Sequence, residues 1–159
     1  MKRYYLAYGS NLNREQMKFR CPTAKIIGTA VIEHHELFFR GSRTGAYLTI
    51  EPSIGRKVPV AVWEVTAADE KALDRYEGFP TFYYKQDFKI DVNLLDSGTT
   101  ETLNCFAYIM TAGRSIGIPS DFYVQTCLDG YADFGFDKRI LNKALEKARK
   151  NVCKYKKLL

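Results

Sequence analysis

The chain has 159 residues, 46% hydrophobic and 14% aromatic, which is enough to bury one sizeable core and too little for two ordinary domains, so a single domain over 1–159 is expected. No apolar run approaches the length that spans a bilayer, and Tyr8-Gly9-Ser10-Asn11 interrupts the first apolar stretch too early for a signal-peptide core; a cytoplasmic protein with no membrane partner is expected. The net charge of +6 is local, because nine Lys and Arg against one acid, Glu146, lie from Lys138 onward, giving that segment +8 and the remainder −2.

Tyr4 to Tyr8 reads as a largely buried strand, and Gly9-Ser10-Asn11 supplies the turn that ends it. Asn13 is placed to cap the helix that follows, with Gln16 as capping-box partner and Leu12 and Met17 as a hydrophobic staple. The pattern stops at Cys21, before Pro22. Unpaired N–H groups at this helix start, reinforced by its dipole, favour a carboxylate or phosphate over Gly9, Ser10 and Asn11. Ile26–Ile32 and Glu36–Phe39 are expected as strands, and Gly41–Gly45 as a polar loop. Tyr47–Ile50 reads as a short strand closed by Glu51-Pro52-Ser53, and Gly55-Arg56-Lys57 turns the chain into a strand over Val58–Val65. Pro59 puts the start of that strand near an edge or a bulge.

Thr66 and Asp69 have the spacing of a capping box, with Ala72, Leu73 and Tyr76 facing inward and Gly78 as the stop. That places Glu77 in the last helical turn, where the dipole favours a cation over a carboxylate by roughly 0.3–1 kcal/mol. A local rule broken in this way marks Glu77 as a functional candidate. Burial beside Phe79, Phe82 and the tyrosines would raise its pKa, as a general base requires. Thr81–Val92 and Leu103–Met110 read as a hairpin around Leu95–Thr100, and Ile116–Pro119 as a loop. Ser120 caps a short helix carrying Phe122, Tyr123 and Cys127, which Gly130 is expected to end. Asp137 caps the basic helix, where Ile140, Leu141, Ala144, Leu145, Ala148 and Val152 recur at helical spacing and leave the cations on the opposite face. A solvated face, not a nucleic-acid site, is the expectation there.

Six or seven strands and three or four helices without regular β-α alternation indicate an α+β domain whose mixed or antiparallel sheet closes into a barrel. Cys21, Cys105, Cys127 and Cys153 are widely spaced without a C-x-x-C pair, which suggests neither a zinc site nor a disulfide framework. His34 and His35 are adjacent, so on a strand they point to opposite faces and cannot share one ion. No metal is expected.

The turn Tyr8-Gly9-Ser10-Asn11-Leu12, the strand with Trp63-Glu64-Val65, and Leu73-Asp74-Arg75-Tyr76-Glu77-Gly78-Phe79-Pro80 together resemble the gamma-glutamylcyclotransferase family. Pro119-Ser120-Asp121-Phe122-Tyr123 with Gly130 and Gly135 extends the likeness over nearly the whole chain. The resemblance implies a small β-barrel flanked by helices. It also implies release of 5-oxoproline and a free amine or amino acid from a small gamma-glutamyl substrate, without a cofactor. Related branches include the plant avirulence-induced proteins, gamma-glutamylamine cyclotransferases and an antibiotic-pathway deprotecting enzyme. Carried over by position, it makes Glu77 the catalytic acid/base and Tyr123 a substrate-side hydroxyl. The segment Tyr5, Leu6, Ala7, Tyr8, Gly9, Ser10, Asn11 and Leu12 becomes the cradle for the glutamyl group. Tyr83 and Tyr84 are both candidates for a further pocket tyrosine; neighbours on a strand face opposite ways, so one lines the pocket, and Tyr83 is preferred.

Two other readings compete. A hydrolase with Ser10 as nucleophile lacks a His partner and a G-x-S-x-G elbow. A non-catalytic small-molecule-binding module of the same fold is the main alternative. The group attached to the gamma-glutamyl moiety depends on an outer wall expected to include the Arg40–Ala46 loop. Oligomeric state has no sequence signal.

Overall fold

Strand β1, Arg3–Ala7, is buried from Tyr5 onward and lies between two strands that follow much later. It runs antiparallel to β3, Gly45–Val65, with Tyr5 opposite Trp63, and parallel to β5, Thr100–Met110, with Tyr5 opposite Phe106. The computed structural model describes residues 2–42 and 45–158. With β2, Lys25–Ser42, and β4, Tyr83–Leu94, these strands close into a barrel in the order β1-β3-β2-β4-β5. The β1–β5 contact is parallel and the other pairings are antiparallel, so the expected mixed barrel is present.

Among the described residues there are five strands and four α-helices. The strand count is lower than expected because β2 and β3 are each continuous, pairing from Lys25 opposite Glu64 to Ser42 opposite Gly45. Glu33–His35, Glu51–Ser53 and Gly55–Lys57 lie inside these strands instead of ending them. The bends are absorbed by register shifts at Ile26/Gly28 and Glu33/His35, with His34 at φ 55° and Gly55 at φ 82°. Gly41 and Ala46 of the expected loop are a paired strand position, while Arg43 and Thr44 lie outside the described residues. Pro59 pairs with Val31 on one side, beyond the reach of β1, which covers Ala61–Val65. Its missing N–H therefore costs no ladder bond on the open side.

The helices are α1, Arg14–Arg20; α2, Ala67–Glu77; α3, Asp121–Phe134; and α4, Lys138–Leu158. Helix α3 passes through Gly130 and ends at Gly135, φ 67°. Gly130 is a packing glycine, because a Cβ there would lie 2.6 Å from Leu12 Cβ. Helix α4 buries Leu141, Ala144 and Ala148, and Lys147 pairs with Glu36 of β2; the Val152 side chain lies outside the described residues. No helix among the described residues is long and apolar enough to cross a membrane. Cys21, Cys105 and Cys127 are buried, Cys153 is exposed, and all four are free.

Candidate active site

After β1 the chain makes one 3-10 turn, Ser10–Leu12, closed by Leu12 N–H to Gly9 O and Asn13 N–H to Ser10 O, both 3.0 Å. Asn13 then caps α1 by accepting from Gln16 N–H at 3.0 Å. The reciprocal half of the expected capping box is absent: Gln16 Oε1 accepts from Arg20 Nη2 at 3.0 Å. Because the turn separates Gly9 from α1, any anion held there meets individual N–H groups and not the dipole of α1, whose influence fades within a turn. The amides of Ser10 and Asn11 open the turn and have no intrahelical acceptor.

The second contribution comes from α2. Thr66 accepts from Asp69 N–H at 3.2 Å while Asp69 Oδ2 accepts from Thr66 N–H at 3.0 Å, and Gly78 adopts φ 65° to stop the helix. These caps fix both ends and make Glu77 the last helical residue. The half-buried Glu77 side chain reaches the turn, where Oε1 accepts from Asn11 Nδ2 at 3.3 Å. The same Nδ2 donates to the Tyr5 hydroxyl at 2.9 Å, and Asn11 Oδ1 accepts from Arg20 Nη1. Burial pushes the Glu77 carboxyl up to about 7, and the Arg20 charge pulls against that rise. Burial first, then the Glu77 charge, raises the pKa of Tyr5 and Tyr8, so both remain protonated.

These groups open on a cavity of about 410 Å³. Of the residues anticipated from sequence, Tyr5, Tyr8, Gly9, Ser10, Asn11, Glu77 and Tyr123 line it. Leu6, Ala7 and Leu12 are buried in the core and are not part of the lining. Tyr83, 6% exposed, sits behind the wall and donates to Leu48 O at 2.7 Å; Tyr84, 41% exposed, is on the outer side. Tyr76 was expected inward but is exposed at the rim. Its ring is covered by the Arg20 guanidinium, 3.3 Å from the centroid, instead of by the core. Ser10 Oγ lies 3.3 Å from Tyr76 Oη, and neither His34 nor His35 lines the cavity, so Ser10 lacks the imidazole partner of a nucleophile.

Sequence reasoning missed Tyr47, Leu48, Arg75, Tyr76, Gly78 and Tyr108 in the lining, and Arg20 behind it, while Phe82, expected beside Glu77, is in the lining. Tyr108 shares a strand face with Phe106, a period-two signal that could have been read. Its hydroxyl donates to Asp74 at 2.6 Å, Asp74 pairs with Lys85 at 2.8 Å, and its carbonyl accepts from Tyr8 at 2.5 Å. Tyr47 and Phe82 form the facing aromatic wall, edge to face at 6.1 Å, with Tyr123 5.2 Å from Tyr47. The arrangement brings a carboxyl of raised pKa, the amides that open the turn, and several hydroxyls into one pocket. That is a suitable setting for moving a proton beside a polarised carbonyl.

Comparison with known proteins agrees. A family described as "Gamma-glutamyl cyclotransferase, AIG2-like" matches residues 5–125. The chain is 31% identical over 138 residues to the gamma-glutamylcyclotransferase of Homo sapiens, covering 82% of this chain and 71% of that protein. A solved structure titled gamma-glutamyl cyclotransferase superposes with TM-score 0.74 at 25% identity, covering 94% of this chain and 87% of the other. A yeast gamma-glutamyl cyclotransferase specific to glutathione shares the fold, with TM-score 0.61 at 12% identity over 94% of this chain and 96% of that one.

Proposed function

Since this chain belongs to the gamma-glutamyl cyclotransferase, AIG2-like family and is a gamma-glutamylcyclotransferase-type enzyme, we propose that Glu77 carries the proton through the reaction in this cavity. The substrate is a small gamma-glutamyl compound. Its α-amine arrives as ammonium and cannot attack until it loses a proton. Glu77 accepts that proton; the amine nitrogen then bonds to the γ-carbonyl carbon, closing the five-membered ring. As the tetrahedral centre forms, the ring nitrogen gives up its second surplus proton to solvent; as that centre collapses, the bond from the γ-carbon to the departing nitrogen breaks, and Glu77 returns its proton to that nitrogen. The products are 5-oxoproline and a free amine, and the carboxylate is regenerated.

The protein's remaining task is orientation, because the ring closure is intramolecular. We assign the Gly9-Ser10-Asn11 amides to the substrate α-carboxylate and the developing oxyanion, with the Tyr123 hydroxyl beside them. The observation that carries the mechanism is a half-buried carboxyl beside the glycine turn, accepting from Asn11 Nδ2 at 3.3 Å, and its burial raises its pKa to about 7. A carboxyl so tuned is charged enough to take a proton and acidic enough to return it, a contribution typically of about 10²–10⁴ in rate. A cytoplasmic setting is consistent with four free cysteines.

The test is 5-oxoproline release from gamma-glutamyl amino acids, gamma-glutamyl amines and glutathione, run beside Glu77→Gln. Gln is near-isosteric and keeps a polar group beside Asn11, so folding and substrate binding should persist while turnover disappears. A variant that retains more than about a tenth of native activity would rule out Glu77 as the shuttle, given the size of general acid–base contributions.

A further inference from the structure

We propose that Arg20 is a positioning residue of this site, fixing the Asn11 amide with its nitrogen toward Glu77 and placing a cation behind it. An Asn side chain has two ends of similar shape, one donating and one accepting. Rotated by half a turn, Asn11 would set Oδ1 against the Glu77 carboxylate, acceptor against acceptor. A guanidinium has only donors, so its Nη1 contact selects Oδ1 and leaves Nδ2 for Glu77 and Tyr5. Arg20 is itself held in place, with Nη2 on Gln16 Oε1 at 3.0 Å and its plane over the Tyr76 ring. Through it, α1 fixes a side chain that lies between the substrate turn and the end of α2.

Tyr5 and Tyr8 of β1, Tyr83 of β4, Tyr108 of β5, Tyr123 of α3, and Arg75 and Tyr76 of α2 also approach Glu77 or line its cavity. The buried tyrosines are neutral, and Arg20 is the charge that draws the Glu77 titration downward. The inference rests on Glu77 as proton shuttle, so its test includes a readout that does not need turnover.

The experiment follows the Glu77 carboxyl carbon by NMR, assigned by its loss in Glu77→Gln, alongside the pH dependence of kcat/KM. It compares native protein with Arg20→Gln, Arg20→Lys and Arg14→Gln. Arg20→Gln should move the carboxyl titration and the acid limb of kcat/KM to higher pH together. It should also lower plateau kcat, by up to about 10²-fold, the scale of a small misplacement at a reacting centre. Arg20→Lys should restore the titration but not kcat, because a point charge cannot bridge Asn11 and Gln16 as a fork does. Arg14, on the same helix and stacked 5.0 Å from the Phe134 centroid, should leave both readouts unchanged when replaced by Gln. An unshifted titration in folded Arg20→Gln, or full rescue of kcat by Lys, overturns the proposal. A shifted titration with an unmoved acid limb supports the Arg20 link and removes Glu77 from the shuttle role.

Discussion

Glu77 titrates at about 7 in the folded chain against an ordinary 4.5, so between those values the native state binds more protons than the unfolded state. The sign follows: stability from this group is full below about pH 4.5 and is lost as pH rises through 7. The loss is on the order of 3 kcal/mol, at about 1.4 kcal/mol per pH unit. Glu77→Gln should therefore be more stable than native protein at pH 8, and indistinguishable from it near pH 4. Urea midpoints at several pH values test this. In the proposed mechanism the catalytic limb has the same origin, and kcat/KM should rise with pH through about 7 as the carboxyl ionises. Gly9 presents a different case, since an added Cβ would lie 3.4 Å from Tyr123 Oη and 3.5 Å from Leu48 Cδ1, on the side of the turn that faces the cavity. Gly9→Ala should raise KM severalfold in the 5-oxoproline assay, because it narrows the cavity beside Tyr123.

The ends of helix α2 were readable because their determinants are local: Thr66 and Asp69 cap one end, Gly78 stops the other, and Glu77 stands where the dipole disfavours it, whereas the outward turn of Tyr76 depends on Arg20 of another helix. Helix α1 was readable in outline, but Gln16 turned to Arg20 instead of completing its box, a choice made by a side chain that also serves Asn11. Gly130 was misread as a stop because nothing beside it in the chain reports its contact with Leu12. Tyr47 was missed for a related reason: barrel closure, not spacing within its own strand, brings it to the cavity. Gly130→Ala should press the 3-10 turn out of place, since the new Cβ would also lie 2.7 Å from the Leu12 carbonyl carbon. A loss of about 1–3 kcal/mol in urea unfolding is expected, as for other overpacked interiors. The turn carries the amides proposed to hold the substrate, so kcat/KM should fall with it.

The barrel as a whole closes through a narrow seam, where β2 meets β4 at Gly28 opposite Leu94 and Thr29 opposite Asn93. A Cβ on Gly28 would stand 2.3 Å from the Asn93 carbonyl oxygen and 2.8 Å from Val92 Cγ1. Backbone must move to admit it. Gly28→Ala should cost about 1–3 kcal/mol or more and speed amide exchange along the seam before elsewhere. The opposite side of the barrel has a consequence for how the protein is made. Tyr5 belongs to the earliest strand, yet its neighbours are Trp63 and Phe106. During synthesis the glycine turn leaves the ribosome long before β5, and so does Glu77. In the proposed mechanism the two form no working pocket until β5 encloses β1 and α3 then brings Tyr123 to the cavity. Such dependence on distant partners slows folding, and it also times the activity. A growing chain that already holds Glu77 and the glycine turn should therefore be inert until the barrel shuts and α3 has seated.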